Sequence, residues 1–90
     1  MTLEEKQQCL QYMSLVWDAL MDESIPLPSD RQFLLWLTLF DRETVERGIS
    51  VAAAKVMTVS QKGRQMASDE VLRYASGVMR NVKLKQEGRI

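Results

Sequence analysis

The sequence predicts an all-α fold, a small bundle of four helices, and three observations predict it. Apolar residues recur at spacings of three and four through most of the chain. Both prolines, Pro26 and Pro28, share one short linker, and glycines number only four. Thr2, Ser29, Asp41 and Ser68, residue types suited to capping helix N-termini, stand where the apolar periodicity begins anew. The expected helices span about 2–23, 29–40, 41–58 and 68–84, within a single domain of residues 1–90. At 46% hydrophobic and 27% charged, the composition suits a packed chain and not a disordered one.

The first helix is expected to open at Thr2, with Glu4 and Glu5 at the positive end of its dipole. Leu3, Cys9, Leu10, Met13, Val16, Trp17, Leu20 and Met21 fall on one broad arc, the core face. Tyr12, Leu15 and Ala19 form a second apolar side, which suits a neighbouring helix or a partner. Pro26 and Pro28 push the residues before them out of helical geometry and end this helix.

Ser29 with Gln32 three residues later is a capping-box pattern that starts the second helix. From Phe33 to Phe40 only Thr38 interrupts the apolar residues. That run is far shorter than the roughly 20 residues of a membrane span. A helix apolar on almost every side is normally wrapped by others, so this one is expected at the centre of the bundle.

Asp41 should cap the third helix, whose stripe is Val45, Ile49, Ala52 and Val56 with Ala53 beside it. Gly48, which costs a helix about 1 kcal/mol relative to alanine, points to a close crossing with the large side chains of the second helix. Thr58–Ala67 reads as the longest loop. Ser68 is the expected cap of the fourth helix, with Val71, Leu72, Ala75, Val78, Met79 and Val82 on its apolar face. Arg73, Ser76, Gly77, Arg80 and Lys83 fall on its other side, and Leu84–Ile90 should fray.

Net charge is zero, yet its distribution is uneven. Residues 1–54 carry four basic groups against nine acids, a balance of −5. Residues 55–90 carry eight against three, a balance of +5. Such a split either draws two halves or two copies together, or supplies a basic face to an anionic partner.

Nothing in the sequence supports catalysis. Histidine is absent, and the chain shows no Gly-rich phosphate loop, metal-ligand spacing or nucleophile–base pair. Glu4/Glu5, Asp22/Glu23 and Asp69/Glu70 are neighbours in sequence, but adjacent helical residues point about 100° apart and do not converge on one substrate. The single Cys9 excludes an intramolecular disulfide, and no charged, apolar leader opens the sequence. The expectations are therefore a cytoplasmic protein, no enzyme, no cofactor, no metal, no membrane and no small-molecule substrate.

Two binding accounts follow. The first is a small interaction or self-association module of bacterial or phage kind, with Tyr12, Leu15 and Ala19 as the partner interface. Six methionines either adapt such a surface or fill gaps in the core. The second is nucleic-acid binding through Lys62, Arg64, Arg73, Arg80, Lys83 and Lys85, with Arg89 beyond, which could track phosphates. Zero net charge and the lack of interleaved aromatics, apart from Tyr74, weigh against a dedicated nucleic-acid binder.

The pattern FDRETVERGISVAAAKV, a polar loop and then SDEVLRYASGVMRNVKLKQEG resembles the C-terminal region of DnaD-like primosome and replication proteins. The resemblance covers about residues 41–88. In that family a helix comparable to Val45–Val56 precedes a loop and a helix with a Tyr-rich opening, which ends apolar–apolar–x–Asn before a basic tail. Tyr74, Val78, Met79, Asn81 and the Lys83/Lys85 tail take those places here. Val82 departs from the aromatic that usually follows the Asn, and residues 2–40 have no counterpart. The resemblance implies a helical replication accessory domain that binds DNA through its last helix and tail.

Overall fold

In the computed structural model, which describes residues 2–88, four helices follow one another: α1 (Leu3–Leu20), α2 (Asp30–Leu39), α3 (Arg42–Gln61) and α4 (Ser68–Gln86). Three of the four starts are capped as the sequence predicts. Thr2 Oγ1 accepts from Glu5 N at 3.2 Å, Ser29 Oγ from Gln32 N at 3.2 Å and Asp41 Oδ1 from Thr44 N at 2.8 Å. At α4 the cap moves back one residue to Ala67. Ala67 has no side-chain acceptor, so Glu70 Oε1 instead accepts from its backbone N–H at 3.4 Å.

The helix ends differ from expectation for local reasons. α1 stops at Leu20, short of Glu23, because Met21 turns extended and Asp22–Ile25 closes a turn. Ser24 N donates to Asp22 Oδ1 in that turn, and Ile25 tucks into the core just before Pro26. α3 runs on to Gln61, three residues past its expected end, since Val59 is buried and belongs to its inner stripe. Gly63, at φ 84°, then closes α3: Arg64 N donates to Val59 O and Gly63 N to Ser60 O, a Schellman arrangement. The connection to α4 is thus residues 62–67, shorter than expected, and Met66 within it is buried. Leu84, Lys85 and Gln86, expected to fray, stay helical; Arg89 and Ile90 lie outside the described residues.

The core is one cluster drawn from every helix. Met13 and Trp17 of α1, Phe33 and Trp36 of α2, Val45, Ile49, Ala52 and Val56 of α3, and Val71, Ala75 and Met79 of α4 are all buried. Its aromatic heart is a run of edge-to-face rings: Trp17 to Phe33 at 6.4 Å between centroids, then Phe33 to Trp36 at 5.9 Å. α2 therefore sits at the aromatic centre, but it is not wrapped on every side, for Leu35 and Leu39 are 52% and 49% exposed. α3 packs on all three others, most extensively on α4. Its small residues explain this, although not as expected: Gly48 meets Met79 and Ala75 of α4, not the large side chains of α2. Leu3 and Leu20, placed on the α1 core arc by spacing, are exposed in the first and last turns of that helix.

Candidate interaction surface

The second side of α1 is open to solvent. Leu15 is 68% exposed, and Tyr12 and Ala19 are exposed beside it. The three share the outer face of the helix but border different hollows. Tyr12 and Ala19, with Val16 and Leu20, line a groove against Glu43, Glu46, Arg47 and Ser50 of α3. Leu15 instead borders a hollow toward α2, with Gln7, Leu10, Gln11, Ser14 and Asp30. Leu15 thus stands on the ridge between two depressions.

Tyr12 is held in place electrostatically. The Arg42 guanidinium lies 4.9 Å from its ring centroid. The Glu46 carboxylate, as acceptor for the phenol and as a negative charge, raises the Tyr12 pKa above its ordinary value of 10.0, and Arg42 opposes that rise. One Glu46 oxygen, Oε1, is buried without a hydrogen-bond partner.

The six cations expected to track phosphate are spread along α4 and the connection before it. Lys62 and Arg64 lie at the N-terminal end of α4, whereas Lys85 lies in its last turn, about 25 Å further along at 1.5 Å per residue. Three of the six are engaged within the chain. Arg64 Nη2 bonds Glu70 Oε2 at 2.7 Å, which holds the Glu70 carboxyl below its usual range. Arg73 Nη2 lies 3.4 Å from Asp69 Oδ2. Lys83 Nζ donates to the Leu39 carbonyl at 3.1 Å and sits 5.8 Å from the Phe40 ring centroid.

What the structure does bring together is a groove between α2 and α4, which spacing alone missed. One hollow is lined by Gln32 of α2 with Leu72, Arg73, Ser76, Gly77 and Arg80 of α4. A second, about two turns on, is lined by Leu39 and Phe40 with Arg80, Lys83, Leu84 and Glu87. Arg80 belongs to both. Leu35, one turn before Leu39 on α2, is also exposed. The groove is anchored from below by Trp36 Nε1, which donates to Ser76 Oγ at 2.9 Å. Ser76 and Gly77, expected on a solvated side of α4, are half-buried for this reason.

Four of the methionines, Met13, Met21, Met66 and Met79, are core residues, and Met57 is exposed. Cys9 is half-buried. Among the described residues no three His, Cys, Asp or Glu side chains gather as a metal site requires, and no helix is long and apolar enough to cross a membrane. Comparison of the chain with family models, curated proteins and solved structures finds no match.

Proposed function

We propose that this chain is a non-enzymatic helical module that acts by binding protein, in the first instance another copy of itself, in a reducing cytoplasmic setting. The observation that carries this reading is Leu15, 68% exposed on a ridge of α1, together with the outer leucines Leu35 and Leu39 of α2. A domain of this size buries a limited share of its apolar surface by itself, and association covers the remainder. The competing account, DNA bound through α4 and its tail, draws on the four cations of α4 and on the DnaD-like resemblance. Its weakness is that Arg64, Arg73 and Lys83 already have partners within the chain.

Sedimentation of the wild type over a range of concentrations, beside Leu15→Glu, tests the reading. Concentration-dependent association that Leu15→Glu abolishes, with thermal stability unchanged, supports it. A wild type that stays monomeric at about millimolar concentration, where even an association worth only about 4 kcal/mol would show, overturns it. The DNA account predicts instead an affinity for duplex or single strands that falls steeply with salt.

A further inference from the structure

Resting on the self-association reading, we infer that copies of this chain join by seating the acidic outer ridge of α1 in the basic groove between α2 and α4. The two surfaces match in charge and in relief. From Leu72 to Gln86, α4 carries Arg73, Arg80, Lys83 and Lys85 and no acid, and Glu87 lines the far end of the groove. On α1, Leu15 and Ala19 lie near exposed Asp18, exposed Asp22 follows in the turn after the helix, and the sequence holds no cation between Lys6 and Arg31, although Arg42 of α3 reaches the same face at Tyr12. A helix that presents an apolar knob beside an acid suits a groove with apolar walls and cations along one side.

Gly77 gives the groove its depth. A glycine inside a helix is costly, and at Gly48 packing accounts for it. At Gly77 it does not, because a Cβ there would meet nothing within 4 Å. The missing side chain leaves open space on α4 between Arg73, one turn before, and Arg80, one turn after, in the hollow that Gln32 and Leu72 also line. In the inferred pairing Leu15 enters that opening and brings Asp18 toward Arg73 and Arg80.

The occupant is a second copy because the chain leaves its own complementarity unused. Among the described residues, the ion pairs Arg64–Glu70 and Arg73–Asp69 both lie within residues 64–73 and do not join the acidic first half to the basic last third. α1 and α4 both pack on α3, so Asp18 of the α1 ridge and the cations of the α4 groove stand on different helices. One copy therefore carries both members of a complementary pair, and a neutral chain balances its charge on association without help from another partner.

Charge reversal tests the pairing. In sedimentation equilibrium at low salt, Asp18→Lys/Asp22→Lys and Arg73→Glu/Arg80→Glu should each weaken self-association at least about tenfold, from like charges placed face to face. An equimolar mixture of the two variants should recover it, since each reversed surface then meets its complement. Arg73 also pairs with Asp69, so the single exposed change Arg80→Glu repeats the measurement without disturbing that pair. Circular dichroism melts check that every variant folds. If the wild type associates and the reversals leave it unchanged, this pairing is overturned while self-association stands on another surface. Loss in both variants without recovery on mixing also overturns it. A monomeric wild type overturns both readings. Binding of a labelled oligonucleotide that Arg80→Glu abolishes, with no change in sedimentation, assigns the groove to phosphate instead.

Discussion

Gly48 of α3 lies against Met79 of α4 so closely that a Cβ at Gly48 would overlap Met79 Cγ and sit 2.8 Å from its Cε. The Ala75 carbonyl oxygen, 3.1 Å away, closes the other side. Met79 is fully buried, and the clash falls on the root of its side chain, which has nowhere to move. This crossing sets how near the two longest helices approach.

Gly48→Ala therefore sets two effects against each other. Helix propensity favours the alanine by about 1 kcal/mol, and overpacking costs typically 1–3 kcal/mol. The expected outcome is net destabilisation of up to about 2 kcal/mol, and a melting temperature lower by roughly 4–8 °C per kcal/mol for a domain of this size. A melting point at or above that of the wild type would show that Met79 repacks freely.

Gly77→Ala should do the reverse. It sits in regular helix with open space where a Cβ would go, so only the propensity gain remains. Denaturant titration should show stabilisation by about 0.5–1 kcal/mol. The same variant, by narrowing the groove, should weaken self-association. Stabilised folding with undiminished association would leave Gly77 no role in docking.

The two tryptophans separate in the same way. Trp36 Nε1 donates to Ser76 Oγ, whereas Trp17 Nε1 is buried with no partner. Changing either to Phe removes ring volume from the core, but Trp36→Phe also removes a hydrogen bond that ties α2 to α4. Trp17→Phe instead relieves an unpaired donor, whose burial costs about 1–3 kcal/mol. Trp36→Phe should therefore be the more destabilising by about 1 kcal/mol or more in urea titrations. Equal losses would indicate that Trp17 Nε1 is satisfied in solution, for example by water.

Gly48 and Gly77 also show where sequence reading stops. Both are mid-helix glycines, and spacing marks each as costly without saying whether a neighbour requires it. Helix count, three of four caps and the buried stripes of α3 and α4 were legible because capping and periodicity are local. Leu3 and Leu20 were misplaced because a helical wheel does not know where a helix outruns its neighbours. The α2/α4 groove was invisible for a related reason. It depends on Trp36 reaching Ser76 across 40 positions, a contact no local pattern encodes. Likewise Arg64, Arg73 and Lys83 looked free for phosphate until their partners were in view.

Acid should unfold the chain through its helix caps. Asp41 accepts from Thr44 at the start of α3, and that bond holds its carboxyl below the ordinary 3.8. Asp22, bonded by Ser24, and Glu70, bonded by Arg64, are lowered as well. A carboxyl whose pKa is lower folded than unfolded contributes stability that is complete above the unfolded value and lost as pH falls through the folded one. With no histidine in the chain, stability should hold from about pH 5 to 8 and decline below about pH 4. Asp41→Asn keeps an acceptor and should flatten part of that decline, while Asp41→Ala should cost about 1 kcal/mol at neutral pH. An acid limb identical in wild type and Asp41→Asn would place the sensitivity elsewhere.

Lys83 closes the C-terminal end of α2. Leu39 is the last residue of that helix, and its carbonyl belongs to the group that a helix leaves without internal partners. Lys83 Nζ supplies one from α4, places positive charge at the negative end of the α2 dipole and lies over Phe40. The position is exposed, so the energy is small, about 0.5 kcal/mol. Lys83→Met should therefore barely shift the global melt yet speed hydrogen exchange in the last turn of α2, leaving α3 unchanged. Lys83→Glu should do so more strongly, and its excess over Lys83→Met should shrink as salt screens the charge. If exchange in α2 is untouched by both, Lys83 is free in solution, and its charge is available to an acidic ridge or a phosphate without first giving up Leu39.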